Sequence, residues 1–368
     1  MTSSIFFSLS ELAYMMAMVA YITYLVLKRK GIGIAATGIT IFGFSAQTLA
    51  IIQRWIDSYS IKIVYEVDLF SKLLHSAPFS NLYESLILFV WTMILFYLII
   101  EFRYKNRSFG AFVTPIAGLA LLFTNLTGMS KEIQPLMPAL QSNWLIAHVI
   151  LSFIAYGTFA LSFSTAIMYL IITTEKRDEG FYIFWTLSVG LFLIVLIAMA
   201  LDFMTFRIAF STPESFIKSY LFRATFLNQS KGIAAFSYIV ASGILFVLWR
   251  FGYLIKKELL SFSISTEVLD DITYKSISIG FPIFGLGGII FGGVWASQAW
   301  GTYWSWDPKE TWSLITWLVY AIYLHARFMK GWRGKKVVVL AAIGFFTVIF
   351  TYLGVNLLLS GLHAYGEL

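Results

Sequence analysis

Trp300-Gly301-Thr302-Tyr303-Trp304-Ser305-Trp306-Asp307-Pro308-Lys309-Glu310-Thr311-Trp312 joins two apolar runs that are each long enough to cross a membrane. Four of these thirteen residues are tryptophan, and the aromatic segment, residues 299–317, continues to Trp317. So much aromatic area in one connection is costly to expose, and points to a flat apolar ligand resting on it. An interfacial aromatic belt is the plainer reading. It accounts for the depth of the indoles but not for their crowding. Asp307-Pro308-Lys309-Glu310 also reads as a helix start, with a capping carboxylate, proline at the first helical position and glutamate three residues after the cap. Asp307 and Glu310 therefore carry a structural reading beside a site reading.

Outward from this segment the chain is overwhelmingly apolar. Of 368 residues, 59% are hydrophobic and only 12% charged, which is incompatible with an ordinary water-exposed surface. Runs of about 17 to 25 apolar residues recur at roughly 9–27, 35–53, 82–101, 109–126, 146–172, 181–201, 232–254, 276–298, 312–330 and 337–359. The expected fold is all-α, a polytopic integral membrane protein of about ten transmembrane helices. No cleavable signal pattern precedes the first run.

Basic residues orient it. Lys28, Arg29 and Lys30, Arg103, Lys105 and Arg107, Lys176 and Arg177, Arg250, Lys256, Lys257 and Lys275, and Arg327, Lys330, Arg333, Lys335 and Lys336 fall in alternate connections. The positive-inside rule makes those connections inward, leaving both termini and the tryptophan segment outside. The loop 202–231, with four basic residues, sits less well on the outer side. The net charge of +7 is explained by these loops, so no nucleic-acid partner is expected.

The connections offer less chemistry. Residues 54–80 read as a helix lying on the outer surface, with His75 at its end as a surface residue, and Asn81 with Glu84 as a capping pair. Pro135 and Pro138 stiffen the outward loop 127–144. Residues 256–275, with Glu267, Asp270 and Asp271, read as a solvated linker. The glycines of the eighth run (Gly280, Gly285, Gly287, Gly288, Gly292 and Gly293) read as a close-packing face.

There is no cysteine, so disulfides, thiolate metal sites and covalent haem attachment to this chain are excluded. Any metal would rely chiefly on His75, His148, His325 and His363. His148 and His363 are expected at the outer ends of the fifth and tenth runs, the side of the tryptophans. His148 could simply face headgroups. Brought together, two histidines on different helices could hold a haem iron from opposite faces while indoles stack on the macrocycle. His325 lies about thirteen residues into the ninth run, roughly 20 Å from its outer end. It either meets the inner interface or serves a deeper site, for which a second ligand would have to come from another subunit. Asn356, near the outer end of the tenth run, reads as interhelical glue.

The tryptophan segment resembles the WWD signature of haem-handling proteins, in the form typical of the CcsA (ResC) cytochrome c biogenesis family. The similarity extends through Ile322-Tyr323-Leu324-His325-Ala326-Arg327, Lys330-Gly331-Trp332-Arg333-Gly334-Lys335-Lys336 and Tyr352-Leu353-Gly354-Val355-Asn356-Leu357-Leu358. It also takes in residues 81–85 and 138–144 ahead of His148, and so covers most of the chain. What the resemblance implies is a membrane subunit of a cytochrome c synthase, that is, part of a haem lyase complex with a CcsB (ResB) partner. The complex would carry haem b, held non-covalently as substrate, outward and present it to the CXXCH thiols of apocytochrome c, with a thioredoxin-like reductant as a further partner. Carried over, His148 and His363 would be axial ligands of an outer haem beside Trp300, Trp304, Trp306, Asp307 and Trp312. His325 would be a membrane-embedded ligand completed by CcsB. The membrane would be bacterial cytoplasmic or thylakoid. Two departures stand out: residues 178–265 look like a two-helix insertion into a shorter pattern, and His75 lies three residues before Pro78, where the family often has two. A haem transporter or chaperone without ligation activity, and a non-haem transporter gated by the aromatic loop, are the other readings.

Overall fold

The structure, a computed structural model, describes residues 2–61, 69–79, 81–126, 131–133, 142–209, 231–262 and 264–359. All regular structure among these residues is helical. The helices are α1 (Thr2–Leu27), α2 (Lys30–Ile61), α3 (Leu69–His75), α4 (Leu82–Tyr104), α5 (Gly110–Leu126), α6 (Asn143–Thr173), α7 (Gly180–Ala209) and α8 (Lys231–Leu260). After these come α9 (Thr266–Phe284), α10 (Gly292–Trp300), α11 (Pro308–Phe328), α12 (Lys335–Ile349) and α13 (Val355–Leu358). Each of the ten apolar runs coincides with a helix or a continuous pair of helices. Among the described residues, eight helical segments are long and apolar enough to cross a membrane. α11 is not among them, because Trp, Tyr, Thr, His and Arg dilute its apolar residues.

α6 is the centre of the bundle. It is apolar on every side and carries small residues at Ala155, Gly157, Thr158, Ala160, Ser162 and Ala166, so neighbouring helices approach it closely all round. α4, α9 and α12 pack along it, while α1 and α2 form an antiparallel pair beside α5. α7 and α8 make a peripheral hairpin, and α8 exposes Phe236, Tyr238 and Ile239 near its start. The hairpin is tied at one end by Tyr182 donating to the Trp249 carbonyl (2.9 Å) and Lys256 donating to that of Thr174 (2.6 Å).

Charges gather at the two ends. At the end where α4 starts, Arg54 of α2 donates to Glu84 (2.9 Å) and to the Lys131 and Glu132 carbonyls, while Asn81 caps α4 through the Glu84 amide (2.8 Å). At the opposite end lie Lys28–Glu258 (2.9 Å), Lys335–Glu179 (2.7 Å) and a two-pronged Arg327–Asp270 pair at 2.7 Å. Near that end Glu101 is buried and accepts hydrogen bonds from Tyr21, Thr37 and Tyr97.

Two expectations change. Residues 256–275 are not a solvated linker: α8 runs to Leu260, α9 starts at Thr266, and the Arg327 guanidinium compensates the burial of Asp270. Residues 54–61 continue α2, and among the described residues of this stretch Leu69–His75 form a separate short helix, held by Trp55 donating to the Leu73 carbonyl (2.8 Å). His75 is half-buried at its end.

Candidate functional site

At the end of the bundle where α4 and α6 begin, a cavity opens between these two helices and the tryptophan segment. Its walls come from α4 (Leu82, Ser85), α6 (His148, Ser152, Phe153, Tyr156), the glycine-rich run after α9 (Gly288, Gly292), the connection (Tyr303, Trp304), α11 (Lys309, Glu310, Ser313) and the chain leading into α13 (Tyr352, Asn356). Aromatic rings dominate the walls, and polar groups enter at a few points.

The glycine run shapes one wall. Gly285–Phe291 is a π turn, with backbone bonds running to the fifth residue instead of the fourth, and it follows directly on α9, which carries Pro282. Proline removes a helical donor and glycine tolerates the wider turn, so the sequence favours this departure here. The Gly287 carbonyl lies 2.8 Å from His148 Nδ1. A carbonyl can only accept, so Nδ1 carries the proton and Nε2 the ring's lone pair. That is the carbonyl-anchored arrangement used to aim a metal-ligating imidazole. Gly292 makes room for the ring, since a Cβ there would stand 2.9 Å from Nδ1. A second π turn, Phe350–Gly354, brings Tyr352 and Asn356 to the opposite wall.

The tryptophan segment is ordered by caps. α10 ends at Gly301, whose φ of +80° suits glycine. Asp307 is buried and caps α11 by accepting the Lys309 amide (3.0 Å), with Pro308 behind it. The capping reading is thus what the structure shows for Asp307. Glu310 Oε2 reaches back to accept from the Ser305 amide (2.7 Å) and hydroxyl (3.1 Å), while its Oε1 is buried in the wall with no hydrogen-bond partner among the described residues. Lys309 Nζ donates to Asn356 Oδ1 (3.2 Å). Burial pulls its ammonium down to about 8, and the Asp307 carboxylate acts in the opposite direction.

The residues singled out in the sequence are only partly brought together. His148 and Trp304 line the cavity. His148 lies nearly parallel to buried Trp295 (6.2 Å between centroids, 12°), and Trp300 meets Trp295 edge-on at 4.9 Å, one layer behind the wall. Trp306 stands edge-on to Trp304, is 69% exposed and has a left-handed backbone (φ +59°). Trp312 packs against Phe350 at 4.2 Å, away from the cavity. His325 is exposed on the outside of α11, on the face that carries Leu318, Ile322 and Met329, far from the cavity. His363 lies outside the described residues. Sequence reasoning missed Ser152, Tyr156 and the Gly287 carbonyl. The only local signal was the glycine run, which reads equally as packing.

Among the described residues no group of three or more His, Cys, Asp or Glu converges as a metal site. A metal at His148 would bring most of its donors with it. An aromatic-walled cavity with one aimed imidazole and one ammonium suits a flat metal chelate that carries an acidic edge.

Comparison with known proteins adds the following. Residues 79–363 match a family model described as "Cytochrome C assembly protein". The chain is 40% identical over 294 residues to the cytochrome c biogenesis protein CcsA of Trieres chinensis, covering 79% of this chain and 78% of that one. It is 37% identical over 293 residues to that of Gloeobacter violaceus, covering 79% of each. To that of Pyropia yezoensis it is 35% identical over 342 residues, covering 92% of this chain and 89% of the other.

Proposed function

Because this chain belongs to the CcsA cytochrome c biogenesis family, we propose that its cavity is where haem is held for transfer to apocytochrome c. One observation carries the reading: His148 is anchored through Nδ1 to the Gly287 carbonyl at the wall of an aromatic cavity, which directs Nε2 for iron. His363 is the second axial ligand, and Trp304 with Tyr303 flanks the macrocycle. Bound haem supplies vinyl groups to which CXXCH thiols add, each S–H crossing one C=C bond. The chain contributes no covalent catalyst: it orients the haem edge and confines it, which can supply much of the rate. Having no cysteine, it offers the vinyls no competing thiol.

The chain works in a bacterial cytoplasmic or thylakoid membrane, with the tryptophan segment on the periplasmic or lumenal side. A CcsB-type subunit covers the α11 face bearing His325 and completes a second, deeper haem site there, and a thioredoxin-like protein keeps the CXXCH thiols reduced. The α7–α8 hairpin is an addition to this haem-handling body, consistent with its peripheral packing.

Absorption spectra of the purified protein, with and without its partner, test this. A low-spin haem spectrum should weaken in His148→Ala and in His363→Ala, whereas His325→Ala should remove a component seen only with the partner. Absence of any histidine-dependent spectrum, with haem also added, would overturn the reading. Haem binding without conversion of a CXXCH apocytochrome would make the protein a haem chaperone instead.

A further inference from the structure

One carboxylate oxygen in the cavity wall is left without a donor. Glu310 stands in the first turn of α11 and lines the cavity. Its Oε2 accepts from the Ser305 amide (2.7 Å) and hydroxyl (3.1 Å), which holds the side chain in one orientation. Its Oε1 is buried and has no hydrogen-bond partner among the described residues. Leaving a buried acceptor unpaired costs more than a typical hydrogen bond contributes, and is uncommon unless a ligand or a water completes it.

The neighbouring polar groups are engaged elsewhere. The Lys309 ammonium donates to Asn356 Oδ1 (3.2 Å) and lies in the field of the Asp307 carboxylate. The Asn356 amide donates to the Tyr352 carbonyl (2.6 Å), and the Ser85 and Tyr352 hydroxyls pair at 2.7 Å. A second observation points to a ligand. Ser152 on α6 lines the same cavity, is 5% exposed, and its hydroxyl has no partner among the described residues. The cavity thus leaves open one atom that accepts and one group that can donate. A thiol, which gives a hydrogen bond through S–H and takes one at sulfur, answers both.

Resting on the haem reading above, we propose that Glu310 Oε1 is the proton-transfer atom of thioether formation, the general base for a CXXCH thiol entering this cavity. Oε1 takes the thiol proton while the sulfur electron pair forms a C–S bond to the vinyl carbon next to the macrocycle. It then returns the proton to the terminal vinyl carbon, onto which the C=C π pair has opened. One S–H bond and the π component of one C=C bond are lost, one C–S and one C–H bond are gained, and the carboxylate ends as it began. The step consumes no oxidant or reductant. The Ser152 hydroxyl gives the sulfur a donor as charge develops there. Because the Ser305 bonds occupy Oε2, the proton is handled at a single oxygen.

The experiment loads the full-length protein and its CcsB-type partner with haem. It records the haem spectrum and the rate of attachment to a reduced CXXCH apocytochrome from about pH 6 to about pH 9, around the ordinary thiol value of about 8.5. In Glu310→Gln the side-chain oxygen can still accept from Ser305, while an NH₂ donor replaces Oε1, so the helix start is kept and the base is lost. This variant should retain the His148-dependent spectrum and attach haem about a hundredfold more slowly. Its rate should climb with pH more steeply than that of wild type, because the thiol must now ionise unaided. Glu310→Asp should recover part of the rate. The other titratable groups around the cavity are His148 and Tyr156 of α6, Tyr303, Tyr352, Lys309 and, at the cap of α11, Asp307. Lys309, drawn down to about 8, titrates within this window, so Lys309→Met is measured alongside and should keep the wild-type slope. Wild-type rate and slope in Glu310→Gln, with the haem spectrum intact, would overturn the base and leave the haem site standing. So would a change of slope in Lys309→Met alone. Joint loss of spectrum and rate in Glu310→Gln at an unchanged slope would reduce Glu310 to a structural residue and overturn the base as well. No histidine-dependent spectrum in wild type would overturn both readings together.

Discussion

Gly292 and Trp306 are the residues where backbone and ligand chemistry meet most directly. An alanine at Gly292 would place its Cβ 2.9 Å from His148 Nδ1, so either the ring or the helix must give way. Because the Gly287 bond fixes the direction of Nε2, Gly292→Ala should weaken the low-spin spectrum or convert it to high-spin. Gly243→Ala, whose added Cβ meets nothing within 4 Å, should leave it unchanged. Trp306 combines a left-handed backbone with a largely exposed indole, and neither burial nor local preference accounts for that. A left-handed non-glycine residue costs about 1–2 kcal/mol, so Trp306→Gly should leave the melting temperature level or raise it. Haem affinity should fall in the same variant. A fall in both would mean that Trp306 is merely packing.

Among the elements, the α7–α8 hairpin is held to α12 by Glu179, which accepts from Lys335 (2.7 Å) and from the Lys176 and Glu175 amides (3.0 Å each). These donors lower the Glu179 carboxyl from 4.5 to about 2. Its folded value lies below its unfolded one, so its stabilisation is complete above about pH 4.5 and fades as pH falls toward 2. The melting-temperature gap between wild type and Glu179→Gln should accordingly be widest near neutrality and close on acidification. Glu84 differs in being fully buried: Glu84→Gln strands the Arg54 guanidinium, and unfolding measurements should show a loss of about 3–5 kcal/mol. The helices themselves were legible because apolar length alone marks a membrane crossing, and the Asn81 and Asp307 caps because their residue types are specific. Asp270 was not, since a charge near a helix start reads as solvated until Arg327, 57 positions away, is seen against it. The cavity was illegible for a related reason: it depends on two π turns, and no residue pattern separates a glycine run that widens a helix from one that lets helices approach.

Across the whole molecule, the basic connections lie at one end and the cavity at the other, which is a statement about sidedness that the chain's lack of cysteine makes easy to check. Tyr303→Cys should react with a membrane-impermeant maleimide from the outer side of intact cells or vesicles. Lys336→Cys should react only after permeabilisation. The reverse pattern would invert the topology and place the cavity inward. The two π turns bear on the whole assembly in another way. Each holds one residue more than a regular helix would over the same arc. Deleting one residue from Gly285–Phe291 would restore regular pitch over the same arc, so the helix after it would stay in place while the Gly287 carbonyl returned to the ordinary backbone ladder. Such a chain could keep every side chain that matters and still lose the anchor of His148. The aim of the imidazole is thus stored as a count of residues rather than as a choice among them.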